Sequence, residues 1–574
     1  MSDELIKTRS FGPTPCPIMV VGEAPGKTEV EEGVPFVGSS GYEFDQMLAE
    51  VGVLDRFVAD KPADADDLRK QRASRVFLTN VCKYRPPENK IDNFFLDSKQ
   101  TKPNELILEG IQELKDEINQ VRPRLILTLG NTPLWALTGN RGITKWRGSM
   151  LSYGSALLMP TYHPAAILRE WSWRAIALHD LRRAIAALRA GGWPTRKRTF
   201  IVRPSFPDAM EVLNALITAA DRTADREHPL RVASDVETRR HHPKYIACHG
   251  IAWSSEEAIC IPRMCVERAE GYWTADEEVA ICQRERHLLT HPHVAVSGQF
   301  FLYDAQHFAR WEGYIPRLID DTMFMQNVAW SGLPKGLDFI SSMYREHHVY
   351  WKDESKDWNP RTEPEERLWT YNCEDGIATY ECRDVLEKVL REKQLWELYR
   401  FQMRLWYTML RMMLRGIRVD KLLRDYIAGE LMFAITQRQQ ELNYIVGYEL
   451  NLDSNKQVHD FFYNQLRCSV VRNRKTKAPT CDEDALVLFA MREPLLRPIV
   501  ERVAEIRSLG TMMSNVIKAA LENGRIRSSF SLAETYRWTS SKDAFGGGTN
   551  LQNWTKGDEE TEEEAKERAL RKAA

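Results

Sequence analysis

Three short acidic segments, in a fixed order, constrain this chain more than any other feature. They are Asp235-Val-Glu237, Asp304 and Tyr371-Asn-Cys-Glu-Asp375. Alternate residues of a strand share one face, and residues four apart share one face of a helix. The first segment on a strand and the last on a helix would therefore each present a pair of polar groups. Hard divalent cations prefer such oxygen ligands, so the fold is predicted to bring the segments to one metal site.

The chemistry expected of this set is hydrolysis of a phosphodiester. Four carboxylates can hold two Mg²⁺ or Mn²⁺ ions about 4 Å apart, which activate a water and stabilise the leaving oxygen. The hydroxyl of Tyr371 would orient the attacking water. An Asp-x-Glu pair or a Tyr-x-x-x-Asp pair alone is usually solvated surface, so only the ordered set predicts a nuclease.

Length and charge limit the alternatives. With 574 residues the chain is too long for one core, and roughly three or four domains are expected. The net charge of −2 argues against a uniformly basic nucleic-acid binder, although a local basic stripe would suffice for DNA. We expect no membrane span and no signal peptide, because no long apolar run occurs. The ten cysteines lack a Cys-x-x-Cys pair and are interpreted as reduced thiols, as in the cytoplasm.

The order of predicted elements indicates an α/β multidomain chain. Apolar runs at 18–22, 76–80 and 125–129, separated by helices such as 104–120, predict a parallel sheet. A Gly/Pro-rich linker near 191–194 precedes a second region. The chain is rich in helix-forming residues from about 396, and its charged tail, 557–574, is predicted to be a solvated helix or a frayed end. The predicted domains are 1–192, 193–395 and 396–574.

The segments around the acidic clusters resemble the proofreading 3′–5′ exonuclease domain of family A DNA polymerases. The similar segments are Val232–Thr238, Gly298–Asp304, Asp321–Met323 and Tyr371–Asp375, within roughly residues 200–395. The resemblance implies a ribonuclease H-like fold. It also implies that Tyr371 orients water and that the two metal ions are bound by four ligands: Asp235, Glu237, Asp304 and Asp375. One departure is Phe300, where relatives usually carry asparagine, so substrate contacts are expected to differ while metal binding survives.

The N-terminal region contains a second ordered series of motifs. They are Gly22-Glu-Ala-Pro-Gly26, Glu29, Gly33–Gly38, Thr79-Asn80, Arg85-Pro-Pro87, Leu129-Gly130 and Thr161-Tyr-His-Pro164. The first glycine loop alone is a weak signal, compatible with a phosphate loop or a tight turn. The full series resembles uracil-DNA glycosylases, most closely the iron–sulfur (family 4) group, and implies an α/β sandwich that reads a flipped base.

That resemblance assigns a role to each pocket residue. Glu23 would position water or stabilise the cationic sugar, and His163 would stabilise the departing uracil anion. Phe36 would stack on the flipped base, and Asn80 would form hydrogen bonds to its edge. Two readings stay open: active uracil excision, or a glycosylase-like domain that only grips DNA or senses uracil in the template.

The iron–sulfur cluster of the family is not expected in this chain. Relatives place four cysteines around it, one of them directly before Arg-Pro-Pro, where this chain has Tyr84. The region offers only Cys16 and Cys82, which cannot hold a cluster.

The C-terminal region resembles the beginning of a family A polymerase domain, with a mostly α-helical thumb. The similar segments are Met412–Asp420, Leu452–Gln457, Gly524–Phe530, Thr535–Ser540 and Asn550–Asn553. The resemblance implies that Arg537, Asn550 and Gln552 contact primer–template DNA, with the arginine on phosphate. Tyr536 replaces a usual glycine, so that turn is expected to be rearranged.

The chain ends soon after Asn553, before the palm aspartates and the fingers helix of relatives. We therefore expect that it does not polymerise alone, and that it is either truncated or completed by a second polypeptide carrying palm and fingers. The order of the three regions resembles certain bacteriophage replicative polymerases, which implies the cytoplasm of a bacterial host. The expected partners are a single-stranded 3′ end and a primer–template. The alternative is a nuclease-silent subunit that binds primer–template for a separate catalytic chain.

Overall fold

A computed structural model describes two compact units of this chain. It covers residues 6–553 except 59, 98–100, 224–227, 240–241, 269, 318, 357, 360–361 and 474–475, so the predicted tail element at 557–574 lies outside the described residues. The first unit comprises the residues up to Glu237 together with Ile246–Phe301 and Pro316–Arg400. The second unit comprises Thr238–Tyr245, Leu302–Ile315 and the chain from Phe401 onward.

The N-terminal part of the first unit is built on a five-stranded sheet. Its strands lie in the order Phe77–Asn80, Ile18–Gly22, Leu125–Leu129, Ala156–Thr161 and Leu151–Tyr153. The first four are parallel and the last is antiparallel. Both faces are covered, because alternate apolar residues of each parallel strand enter two separate cores, with Val20 in one and Met19 in the other. Parallel strands that are buried on both faces require this continuous apolar character.

Helices cover both faces of this sheet. They span Lys27–Glu32, Ser39–Glu50, Ala65–Arg75, Glu105–Val121, Asn131–Thr138, Ile143–Trp146, Pro164–Ile167 and Trp173–Ala190. Helix Ala65–Arg75 begins where Asp64 and Asp67 form a capping box, and Glu105–Val121 begins at the cap Asn104. Such caps satisfy backbone N–H groups that a helix leaves without partners at its start. A short hairpin, Phe57–Val58 with Lys61–Pro62, completes this part.

A six-stranded sheet organises the rest of the first unit. Its order is Ile319–Asp321, Val294–Gly298, Leu230–Arg239, His242–Ala252, Glu257–Pro262 and Thr199–Ile201. The helices that follow the linker are Phe206–Arg222, Ala275–Leu289, Thr322–Ala329, Leu337–Tyr344, Asp353–Lys356 and Glu366–Glu392. The last of these packs on the sheet through Trp369, Cys373 and Ile377.

Gly250 lets the long helix Glu366–Glu392 lie close to the sheet. A Cβ atom at this position would be 2.6 Å from Asn372 Oδ1 and 3.0 Å from the Asn372 backbone oxygen. A residue with any side chain would therefore push the helix outward, and the helix carries two of the predicted nuclease residues.

The second unit is mainly helical. Its α-helices are Leu302–His307, Trp396–Arg415 (whose first turn belongs to the first unit), Lys421–Val446, Asn455–His459, Glu483–Arg492 and Arg497–Met512. Two small antiparallel pairs complete it, Ile417–Arg418 with Arg525–Ile526 and Ser529–Leu532 with Trp538–Ser541. Its core joins Leu442, Phe462 and Phe489 from separate helices.

The predicted α/β multidomain class, with parallel-sheet cores and many helices, is confirmed. The finer assignment of the three regions to a glycosylase-like sandwich, a ribonuclease H-like domain and a thumb, and the boundaries after 192 and 395, stay predictions. Within the described ranges, no helix has both the length and the apolar character needed to cross a bilayer.

Replacing Gly250 by alanine is expected to lower the free energy of unfolding by about 1–3 kcal/mol, because the added methyl group overpacks the helix–sheet contact. The measurement is urea unfolding followed by circular dichroism. Gly429→Ala is the control, since Gly429 lies inside the helix Lys421–Val446 and a Cβ there meets nothing within 4 Å. This control should be neutral or slightly stabilising, and equal stability of the two variants would contradict the close-approach argument.

Candidate functional site

Three of the predicted carboxylates come together in the first unit. Asp235 and Glu237 lie on the strand Leu230–Arg239, on either side of the buried Val236, and Asp375 lies on the long helix. One oxygen from each carboxylate lies within 4.8 Å of the other two. We refer to Asp235, Glu237 and Asp375 as the acidic cluster. It contains only oxygen donors, which suits Mg²⁺ or Mn²⁺ rather than a soft metal.

Neighbouring side chains hold two of these carboxylates in place. Asn372 Nδ2 donates to Asp235 Oδ2 at 2.8 Å. Trp351 Nε1 donates to Asp375 Oδ1 at 2.6 Å, and the ammonium of Lys352 donates to the other oxygen, Oδ2. These hydrogen bonds fix the orientation of the Asp235 and Asp375 carboxylates within the cluster.

Tyr371 lies beside the cluster, one helical turn before Asp375. Its side chain is buried, and its hydroxyl accepts a hydrogen bond from Lys352 Nζ at 2.9 Å. The ammonium therefore holds the oxygen of this hydroxyl in a defined position beside the cluster. The sequence motifs did not include Lys352, although it contacts both the predicted water-orienting residue and a predicted metal ligand.

The acidic cluster is anionic and partly shielded from solvent, and both features change the pKa values of its residues. Partial burial, and then the charge of Asp375, raise the pKa of Asp235 to about 7. Burial also raises the pKa of Glu237, with the charge of Asp235 as the next cause. Burial lowers the pKa of Lys352, but the charges of Asp375 and Asp235 outweigh that effect and raise it overall. Divalent cations would relieve this repulsion, so the residues present fit the expected metals.

Asp304, the fourth predicted ligand, belongs to the second unit. It is buried on the short helix Leu302–His307. The first unit thus contains three of the four predicted ligands, and the role of Asp304 stays a prediction.

Phe300, the departure noted in the sequence, has a left-handed backbone with φ of 54°. Asparagine tolerates this conformation better than most other residues with side chains. The strained turn is held by Asp321, whose carboxylate accepts from Phe300 N at 3.1 Å and from Phe301 N at 2.8 Å.

The second group of predicted residues gathers at the carboxyl ends of the first sheet. Glu23 follows the strand Ile18–Gly22, Asn80 ends its parallel neighbour, and His163 follows a third strand. Ends of parallel strands meet at one edge, where ligand sites of α/β folds form. A cavity of about 260 Å³ at this edge is lined by Phe36, Asn80 and His163, and we call it the base pocket.

Gly22 allows the base pocket to close around its aromatic residue. A Cβ at Gly22 would be 2.3 Å from Asn80 Oδ1 and 2.7 Å from Phe36 Cζ. Phe36 itself has a left-handed φ of 58°, and its ring stacks on His163 with centroids 6.0 Å apart. The guanidinium of Arg72 donates to the Phe36 carbonyl at 2.8 Å and forms a buried ion pair with Asp45 at 2.7 Å.

Burial shifts the pKa values of His163 and Glu23, two titratable residues at this sheet edge, and in both it favours the neutral form. Burial lowers the pKa of His163 to about 4, so the ring is neutral at pH 7. Its Nδ1 accepts from Ala165 N at 3.1 Å, which leaves the proton on Nε2. Burial raises the pKa of Glu23, and Thr132 Oγ1 donates to its carboxylate at 2.8 Å. The pair offers a neutral N–H donor and a partly desolvated carboxylate.

The cysteines near the base pocket do not fit an iron–sulfur cluster. Cys16 and Cys82 are buried, and burial raises the pKa of both thiols, that of Cys82 to about 11. Cluster ligands must be thiolates. In the part of the chain that the structure describes, no group of three ligand-type residues within 4.8 Å contains two cysteines. The absence of a cluster stays a prediction.

The predicted DNA contacts of the C-terminal region lie in the second unit, around the strand Trp538–Ser541. Arg537 is exposed, next to Tyr536, which has a left-handed φ of 59°, a conformation that glycine adopts without strain. Gln552 Oε1 accepts from Ser540 N at 3.1 Å, and Asn550 Oδ1 accepts from Gln552 N at 2.9 Å. These two amides therefore brace the turn, while the exposed guanidinium is available to a phosphate.

Comparisons with known proteins identify relatives of this chain. Residues 9–189 match a family model described as the uracil DNA glycosylase superfamily. A type-4 uracil-DNA glycosylase of Sulfurisphaera tokodaii is 32% identical over 176 residues, which are 29% of this chain and 67% of that relative. Through this N-terminal region the chain belongs to the uracil-DNA glycosylase superfamily.

DNA polymerases are also among its homologues. The DNA polymerase of Bacillus phage SP01 is 26% identical over 251 residues, 42% of this chain and 24% of that protein. DNA polymerase I of Rhizobium leguminosarum is 28% identical over 264 residues, 44% of this chain and 26% of that protein. The chain thus matches about a quarter of the length of these polymerases. The recognised resemblance to a glycosylase-like region joined to phage-type family A polymerase sequence is confirmed.

We expect His163 to titrate near pH 4 instead of near 6.5, as the neutral Nε2–H tautomer above that pH. Histidine-selective ¹⁵N NMR measures this, with His163→Gln assigning the signal. Because the pKa is lower in the folded state, the unfolded chain binds more protons between pH 6.5 and 4. This residue's contribution to stability is therefore intact above pH 6.5 and is lost as the pH falls toward 4. A titration near pH 6.5 would contradict the burial of the ring.

Proposed function

We propose that this protein acts on DNA in replication or repair, and that its central region removes nucleotides from 3′ ends by metal-dependent hydrolysis. The observation that carries this proposal is the acidic cluster, where Asp235, Glu237 and Asp375 converge within 4.8 Å. Tyr371 beside the cluster and the polymerase homologues support DNA as the substrate. The partners would be a single-stranded 3′ end and a primer–template, in the cytoplasm of a bacterial host.

The residues of the cluster divide the work. Asp235, Glu237 and Asp375 would hold Mg²⁺ or Mn²⁺, with Asp304 as the proposed fourth ligand. When bound, the metal ions supply an activated water and neutralise charge on the leaving oxygen. The Tyr371 hydroxyl accepts a hydrogen bond from Lys352, which fixes its oxygen beside the cluster, and we propose that it orients the attacking water. Trp351 and Asn372 keep the carboxylates in a fixed orientation, which lowers the cost of reorganisation during the reaction.

A second activity, excision of uracil, is favoured by the base pocket. Its residues combine a stacking ring, an amide and a neutral imidazole, and Glu23 supplies a carboxylate at the same sheet edge. These are the groups needed to read a flipped base and break its glycosidic bond. Because the His163 ring is neutral with its proton on Nε2, it can donate a hydrogen bond to the uracil anion. Glu23 can stabilise the positive sugar or position water once it is ionised. We propose that this chemistry proceeds without an iron–sulfur cluster.

The nuclease proposal predicts that Asp235→Ala abolishes Mg²⁺- or Mn²⁺-dependent release of mononucleotides from a 3′-labelled oligonucleotide, a fall of at least about 100-fold, because a metal ligand is lost. Asp276→Ala, which removes an exposed carboxylate from the same region, is the matched control and should retain full activity.

Wild-type protein that binds a primer–template but releases no nucleotides with either metal would instead favour a nuclease-silent DNA-binding subunit. Salt-sensitive binding alone fits both proposals, since phosphate contacts release counterions in either case.

Uracil excision is predicted to fall by about 10²–10⁴-fold in Glu23→Gln and in His163→Ala, which remove the carboxylate and the donor. The assay is release of free uracil from a uracil-containing oligonucleotide. In the wild type the rate should decline as the pH falls, with an apparent pKa above the usual 4.5 of a glutamate, because Glu23 must be ionised. Glu31→Gln, on the exposed surface of helix Lys27–Glu32, should leave the rate unchanged. A wild type that binds uracil-containing DNA without releasing uracil would favour a sensing role.

A further inference from the structure

One short segment, residues 348–353, contacts both the N-terminal region and the acidic cluster. We call it the bridging segment. Two hydrogen bonds join it to the N-terminal region. Met150 N donates to the His348 carbonyl at 2.7 Å, and Tyr350 N donates to Ser149 Oγ at 3.1 Å. Both sides of these contacts lie in the first compact unit. The glycosylase-like region is therefore attached directly to the backbone that carries the next two residues, Trp351 and Lys352.

The two hydrogen bonds between the N-terminal region and the bridging segment are buried, so breaking either one would be costly in free energy. Ser149 and His348 have no exposed surface, and Tyr350 is 6% exposed. Losing one partner of a buried hydrogen bond leaves a desolvated group, which costs more than the bond contributes. The ion pair of Lys145 with Asp353, at 2.9 Å, is about 40% exposed on each side and adds little.

On its other side the bridging segment supplies the only lysine that the described residues bring into contact with the acidic cluster. Lys352 Nζ contacts Asp375 Oδ2 and the Tyr371 hydroxyl, and it lies 5.0 Å from the centre of the Tyr371 ring. Its side chain is 23% exposed, so much of its charge faces the carboxylates rather than bulk water. A cation in this place contacts one of the three carboxylates that would hold a divalent ion.

We propose that Lys352 is a positioning residue of the nuclease site, a built-in cation that the glycosylase-like region anchors through the bridging segment. It competes with divalent metal at Asp375 and at the same time orients the hydroxyl of Tyr371. This inference rests on the proposed nuclease function for its catalytic half, whereas its metal-binding half stands by itself.

The two roles of Lys352 predict effects of opposite direction. Without the ammonium, the three carboxylates keep all of their negative charge for the metal, so binding of a divalent cation should tighten. Without the hydrogen bond to its hydroxyl, Tyr371 is no longer held in one orientation, so turnover at saturating metal should fall. General damage to the fold would weaken metal binding and turnover together.

The test uses the full chain with Lys352→Met and Lys352→Arg. Mn²⁺ binding is measured by electron paramagnetic resonance of the free ion, and exonuclease kcat at saturating Mn²⁺ is measured in parallel. We expect Lys352→Met to bind Mn²⁺ at least about 5-fold more tightly while kcat falls at least about 10-fold. Lys352→Arg keeps the charge and should retain the wild-type affinity for Mn²⁺.

Anchoring from the N-terminal region is tested with Ser149→Ala and its matched control Ser152→Ala. Ser152 is exposed in the neighbouring strand Leu151–Tyr153, where it pairs with Leu157. Ser149→Ala should tighten Mn²⁺ binding and lower kcat in the same sense as Lys352→Met, by about 2-fold to 3-fold, and Ser152→Ala should change neither. An effect of Ser149→Ala equal to that of Ser152→Ala would overturn the anchoring.

The outcomes separate this inference from the proposed function. Parallel loss of Mn²⁺ binding and turnover in Lys352→Met, or no change in either, overturns the role of Lys352. If no variant binds Mn²⁺ at all, the competition is overturned as well. If wild-type protein binds Mn²⁺ but has no exonuclease activity, the proposed function fails, and the change in Mn²⁺ affinity in Lys352→Met still decides whether Lys352 competes with metal.

Discussion

The central region depends on holding three carboxylates together where water is scarce. Asp235, Glu237 and Asp375 repel one another at these distances, and in a partly buried site each close pair of charges costs on the order of several kcal/mol. The repulsion is withstood because a strand of the second sheet and the long helix on it are rigid and closely packed. Gly250 permits that packing, and Asn372, Trp351 and Lys352 donate hydrogen bonds that orient the charges.

The base pocket also lies on a β-sheet, but its charged and polar groups are arranged differently from those of the acidic cluster. Here the ends of parallel strands bring one carboxylate and one imidazole to the same edge, and burial keeps the imidazole neutral. A neutral donor suits the stabilisation of an anion that is leaving, while a carboxylate suits a sugar that becomes positive. The acidic cluster collects like charges for metal ions, whereas the base pocket separates a donor from an acceptor. The proposed nuclease and glycosylase chemistries would thus rely on opposite arrangements of charge, like charges gathered in one site and a donor kept apart from an acceptor in the other.

Much of both sites could be predicted from local periodicity. Asp235 with Glu237, and Tyr371 with Asp375, were paired by the repeats of strand and helix, and the strands of the first sheet were visible as apolar runs. Lys352 could not be predicted, because its place depends on the path of a loop and not on any repeat near it. The buried pair of Arg72 and Asp45 behind Phe36 could not be predicted either, because it depends on how two separate helices pack together. The departures at Phe300 and Tyr536 were visible as unusual residues, but only the backbone reveals that both have left-handed conformations.

The bridging segment has a consequence for how such a chain can be inherited or engineered. Fused enzymes are often treated as cassettes that recombination can exchange freely at a linker. Here the joint near 191–194 is not the only connection, since Ser149 and Met150 also contact residues 348 and 350. Loss of the N-terminal region would remove the contacts that hold residues 348–353 beside the acidic cluster. The two regions are therefore expected to be inherited together.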